Sequence, residues 1–239
     1  MSSSRRLFIA ALGATSLPVW AQPTAARTTP SLGALSQRMG KAWLCLADPE
    51  LTTPARDVLA ASQTAFEHQL LQLSRNANSP EQAGSLRALA RRYEDYLALM
   101  TGTPDTDAHR ALLSTSNEML TLAQLANGSR ASQPWQARLA ARQRLLSQRV
   151  ALLGLASPGA EAARRERQAA IYEFEAGLQA LRNNGSDATL RDRLAQADAA
   201  WAPLKDGAST GRPVPVFVAS ERLLTVMDAV TDHCVRMTA

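Results

Sequence analysis

Apolar residues recur along this chain at spacings of three and four. Leu59, Phe66, Leu70 and Leu73 form one such stripe. Val216, Leu223, Met227, Val230 and Cys234, with Ser220 in step, form another. That period belongs to the α-helix. Runs rich in Val, Ile and Thr with strict alternation are missing, so strands are not expected. Hydroxyl–proline pairs punctuate the pattern at Thr29–Pro30, Thr53–Pro54, Ser79–Pro80, Thr103–Pro104 and Ser157–Pro158. Each offers a capping oxygen followed by a residue with no N–H to leave unpaired. Ser79-Pro80-Glu81-Gln82 is also a capping-box match, and Gln133–Pro134 and Ser186–Asp187 are further starts of this kind. Stops or loops are read at 48–49, 76–79, 101–102, 127–128, 183–185 and 205–215. The pattern predicts eight helices, over 31–47, 53–76, 80–101 and 104–127, then 134–156, 158–183, 187–204 and 215–236.

The helices fall into two sets of four that correspond to each other. Leu35-Ser36-Gln37-Arg38 in the first matches Leu146-Ser147-Gln148-Arg149 in the second. Ala65-Phe66-Glu67 answers Glu173-Phe174-Glu175, Leu89 and Tyr96 answer Leu194 and Trp201, and the segment from Ser116 answers that from Ser220. A fixed internal period decides an architecture. Short connections favour antiparallel neighbours. The expected fold is therefore all-α: two tandem antiparallel four-helix-bundle repeats, over 31–129 and 134–239.

Composition adds a compartment. Ser4-Arg5-Arg6-Leu7-Phe8-Ile9 resembles the twin-arginine export motif. A short apolar stretch and small residues at Val19 and Ala21 follow it. Residues 1–21 thus read as a signal peptide, by the twin-arginine or the general secretory route, and 22–30 as a linker. The stretch is too short to span a bilayer, and no later one is longer, so a periplasmic chain without a membrane span is expected. The formal charge is +5; loss of Arg5 and Arg6 leaves about +3. No basic stripe is interleaved with aromatics, so nucleic acid is not an expected partner.

Ala141-Arg142-Gln143-Arg144-Leu145-Leu146-Ser147-Gln148-Arg149 resembles the signature of the PilJ/NarX-type sensor domain. This is the periplasmic module of type IV pilus chemotaxis transducers and of nitrate/nitrite sensor kinases. The resemblance covers nearly the whole mature chain as two tandem copies, without receptor or kinase regions. It implies four-helix bundles and a small oxyanion, nitrate or nitrite, held by arginine on a first helix. The family motif Arg-Met-x-Ser-x-Arg falls on Arg144 to Arg149. In the first copy Gly33 stands at the position of Arg144, and only Ser36 and Arg38 match.

The residues themselves allow a physical reading of the same stretch. Gly33, Ser36 and Gly40 form a small-residue stripe, and Ala140, Arg144, Ser147, Ala151 and Gly154 form its equivalent. Glycine inside a helix costs about 1 kcal/mol relative to alanine, which points to close approach of backbones. The two first helices are expected to pack together with Arg144 aimed into the space between them. Arg38, Arg142, Arg144 and Arg149, with Ser36 and Ser147, are the candidate anion-binding residues. The alternative is that these arginines pair with glutamates, cap helices or fix helix register. Cys45 and Cys234 are read as buried thiols, with a disulfide the other possibility in an oxidising compartment. No nucleophile elbow, phosphate loop, dinucleotide fingerprint or metal-ligand spacing occurs, so neither catalysis nor a cofactor is expected. A second functional class stays open: a helical scaffold that docks on a membrane receptor or respiratory complex and takes no small ligand.

Overall fold

A computed structural model describes residues 30–126, 133–156, 160–185 and 187–237. The leader over 1–21 and nearly all of the 22–30 linker lie outside the described residues, as does Ser157–Pro158. Eight helices occur among the described residues: α1 (Leu32–Cys45), α2 (Thr52–Arg75), α3 (Pro80–Met100), α4 (Thr106–Ala126), α5 (Trp135–Ala156), α6 (Glu161–Asn184), α7 (Ala188–Thr210) and α8 (Pro213–Arg236). The fold is all-α, with helical-bundle packing in two sets of four.

Side-chain caps set the starts of α1, α3, α4 and α7, and three expected starts are corrected. Ser79 caps α3 through Gln82 N–H (3.2 Å), with Pro80 opening the helix as expected. At α1 the capping oxygen is Ser31, which accepts from Ala34 N–H, so Pro30 lies outside the helix. α2 opens at Thr52 with no side-chain cap, so Thr53 and Pro54 are already inside it. At α4 the cap is Asp105, accepting from Ala108 N–H at 2.8 Å, rather than Thr103. Asp187 caps α7 through Leu190 N–H, as the sequence suggests.

The expected loop over 205–215 is mostly helix. α7 continues through Pro203 to Thr210, because Leu204, Gly207 and Ala208 prolong its buried stripe against the core. Tertiary burial outweighs the local cost of proline here. Gly211 then ends the helix in the left-handed region (φ 67°), and Arg212 N–H closes onto Gly207 O at 3.1 Å. This is a Schellman-type stop, which glycine adopts without steric penalty.

α1 and α5 are the central helices. α1 packs on α2, α4, α5 and α8, while α5 packs on α6, α7, α8, α1 and α4. One apolar cluster fills the first repeat around Trp43, Phe66, Tyr96 and Met119, and takes in Leu152 and Ala156 of α5. Another fills the second around Phe174, Trp201, Leu223 and Met227. Matching stacked aromatics mark the repeat: Phe66 on Tyr93 at 4.4 Å and Phe174 on Trp201 at 4.0 Å. Each outer ring donates to the residue after the phenylalanine, Tyr93 Oη to Glu67 and Trp201 Nε1 to Glu175. The counterpart of Trp201 is therefore Tyr93, not Tyr96, and that of Leu194 is Leu86. α2 and α3 map onto α6 and α7 with one shared offset, because helices that pack as a pair keep their register. No helix is long and apolar enough to cross a membrane among the described residues.

Candidate functional site

Ser-Gln-Arg sits where α1 and α5 cross, and its polar atoms form a buried network with approximate twofold symmetry. Ser36, Gln37, Ser147 and Gln148 are fully buried. Ser36 Oγ donates to Gly33 O and Ser147 Oγ to Arg144 O, both at 2.9 Å, so each hydroxyl is used within its own helix. Each glutamine amide reaches the fourth helix of its own repeat: Gln37 Nε2 donates to Ser116 Oγ (2.7 Å) and Gln148 Nε2 to Ser220 O (3.0 Å). Each glutamine carbonyl accepts from a cation of the other repeat. Arg149 Nη1 donates to Gln37 Oε1 (3.0 Å), and Lys41 Nζ to Gln148 Oε1 (2.9 Å). Buried polar groups are costly unless paired, so these exchanged contacts fix how the repeats meet.

Two residues with no role in the sequence reading complete one half of this network. Lys41 is fully buried; its ammonium also donates to Ser220 Oγ (2.8 Å) and Glu221 Oε1 (2.5 Å), and sits 5.2 Å from the Phe217 ring. Glu221 receives Arg38 Nε at 3.0 Å and Nη2 at 2.5 Å. Burial pushes the Glu221 carboxyl up, but Lys41 and Arg38 outweigh it and bring its pKa to about 2. Burial lowers the Lys41 pKa against the pull of Glu221. Burial also works against the charge on Arg38, yet Glu221 leaves its pKa raised. A lysine between Gly40 and Ala42, in a run that continues Trp43-Leu44-Cys45, was the available signal for Lys41. Nothing local marks Glu221 as its partner.

The nominated arginines do not share one site. Arg144 is almost fully buried and donates to Asp228 of α8 at 2.9 Å, so it faces α8 rather than α1. Arg38 belongs to the Glu221 network. Arg142 makes a bidentate pair with Glu173 of α6, at 2.6 and 2.9 Å. Arg149 bridges Gln37 and Glu166 of α6, and burial lowers its pKa against the pull of Glu166.

The small-residue stripe serves more than the α1–α5 contact expected of it. α1 and α5 do pack together, with Leu152 of α5 3.1 Å from where a methyl at Gly40 would lie, and the glycines also make room for other helices. A methyl at Gly40 would overlap the hydroxyl of Tyr96, which donates to Ser36 O at 3.0 Å. One at Gly154 would lie 2.7 Å from Ala208 Cα, so this glycine admits the α7 backbone. One at Gly33 would meet Leu120 of α4 at 2.9 Å. Ala140 and Ala151 lie in the second repeat's own core.

Arg142 and Arg149 do meet at a cavity of about 210 Å³, floored by α5 between α4 and α6. Glu166 and Glu173 form its charged wall and Leu120, Leu145 and Leu146 its apolar side. A second cavity of about 200 Å³ continues from it past Arg138 and Gln124, with Arg142 and Leu145 in common. Both glutamate side chains are 46% exposed, whereas that of Arg149 is 10% exposed. The cation is thus held in place while its carboxylate partner is free to turn away.

Cys45 and Cys234 are buried, and burial pushes the Cys45 thiol up to about 12. His109 packs edge-on against Trp43 and hydrogen-bonds Ala156 O, and His233 Nε2 lies 2.7 Å from Asp187. Among the described residues, no cluster of His, Cys, Asp or Glu has a metal-holding arrangement. No known protein family, curated protein or solved structure matches the chain.

Proposed function

We propose that the chain is a non-catalytic ligand-binding or sensory module, exported to the periplasm, that holds a small oxyanionic group at Arg149 and Arg142. The observation that carries this reading is the α4–α5–α6 cavity. There a buried, pre-positioned guanidinium is countered by a carboxylate that is half exposed and able to leave. Planar guanidinium groups suit planar oxyanions, and their charge-assisted hydrogen bonds are strong. Nitrate and nitrite are the candidates by the resemblance to PilJ/NarX-type sensor domains. The site lies away from Arg144, whose guanidinium is turned to Asp228 of α8. Calorimetric titration of the mature protein with nitrate and nitrite tests the reading. Binding that Arg149→Gln abolishes supports it, whereas no heat at millimolar concentration from these anions or from a carboxylate-bearing small molecule contradicts it.

One observation favours the second class, a helical scaffold docking on a membrane receptor or respiratory complex. All four nominated arginines already hold a carboxylate. Under that reading small anions produce no heat, and the tagged protein retrieves a membrane partner.

A further inference from the structure

Resting on the reading just given, we infer that the α4–α5–α6 cavity takes a zwitterion, specifically a free α-amino acid with an aliphatic side chain. The cavity is charge-balanced: Arg142 and Arg149 face Glu173 and Glu166 in pairs. A bare anion that captures Arg149 must displace Glu166 and leave that carboxylate without a partner next to a second one, Glu173. Glu166, about half exposed, then has only solvent for a partner, so a bare anion gives up one ion pair, a modest penalty at such a site. A molecule that carries its own ammonium removes the penalty. Its carboxylate replaces Glu166 on Arg149, and its ammonium gives the released Glu166 a new partner, with Glu173 alongside. The exchange conserves every ion pair. Leu120, Leu145 and Leu146 then supply the surface on which an aliphatic side chain loses its hydration.

The other half of the network shows why the site opens here. Arg38, the counterpart of Arg149, is saturated by Glu221 from the fourth helix of the second repeat. At the counterpart of Glu221, α4 carries Asn117, whose Oδ1 is buried without a hydrogen-bond partner among the described residues. Arg149 therefore has no carboxylate across the helix crossing and turns outward to exposed Glu166.

Calorimetry on the full mature chain separates the possibilities, with L-leucine, isovalerate (carboxylate only), isoamylamine (ammonium only) and nitrate as probes. L-leucine is expected to bind at least tenfold tighter than isovalerate or isoamylamine. Glu166→Gln, a change at an exposed side chain, is expected to weaken leucine at least tenfold while strengthening nitrate, because it frees Arg149. Arg149→Gln is expected to remove both. Equal affinity for leucine and isovalerate, or leucine binding unchanged in Glu166→Gln, overturns the zwitterion. Nitrate binding that depends on Arg149, without leucine binding, also overturns the zwitterion but leaves the oxyanion reading standing. Absence of binding by any probe overturns both.

Discussion

The two halves of the central network share the same helices and the same Ser-Gln-Arg signature, yet one is closed and the other is open. In the closed half the protein supplies its own ammonium and carboxylate: Lys41, which is fully buried, and Glu221, whose side chain is 14% exposed. In the open half Leu152 and Asn117 stand at those positions, and Arg149 relies on a glutamate that faces solvent. The difference lies outside the repeated signature. The signature builds the joint between repeats; two residues off it decide whether that joint leaves a cavity beside an arginine.

Breaking the closed half has the largest expected effect. Glu221→Ala strands Lys41 as a buried, unpaired cation, and urea denaturation should show a loss of about 3–5 kcal/mol. Adding Lys41→Met should restore most of it, since the charge is then gone. The same carboxylate makes stability depend on pH. Its pKa falls from 4.5 to about 2 on folding, so its contribution is complete above about 4.5 and is lost as pH falls toward about 2. The stability gap between the native protein and Glu221→Gln should close over that window.

Filling the signature's glycine comes next. Gly40→Ala forces Tyr96 off its hydrogen bond to Ser36 O and should cost about 1–3 kcal/mol. Gly84→Ala is the matched control: a methyl there meets nothing within 4 Å, and helix propensity predicts a gain of about 1 kcal/mol. Two changes of about 1–3 kcal/mol in the stabilising direction compare the repeats directly. Gln143 is fully buried with both amide atoms unpaired among the described residues, and its counterpart is Leu32. Arg167 has a buried, unpaired Nη1, and its counterpart is Leu59. Gln143→Leu and Arg167→Leu should each raise the melting temperature.

Helices and repeats were legible in the chain because period and capping are local. Asp105 taking the cap from Thr103 shows the limit, since neighbouring oxygens compete and geometry decides. The loop read over 205–215 was misleading: the stripe through Leu204 and Ala208 needed the α5 surface at Gly154 before it had anything to pack against. The arginines were legible as chemistry and illegible as a site. Their partners Glu166, Glu173, Glu221 and Asp228 lie on other helices, and only the helix crossings bring them into reach. Lys41 was hidden for the same reason, as a single charge whose burial depends on α8.

The exchanged glutamine–cation contacts should make the two repeats fold as one unit. Urea unfolding of single-tryptophan variants tests it directly, one retaining Trp43 in the first repeat and one retaining Trp201 in the second. A two-state unit requires coincident transitions. The expected result is one shared midpoint, lowered equally in both variants by Glu221→Ala. Two separate midpoints, or a shift confined to the Trp201 variant, would mean that the repeats unfold independently and that these contacts do not couple them.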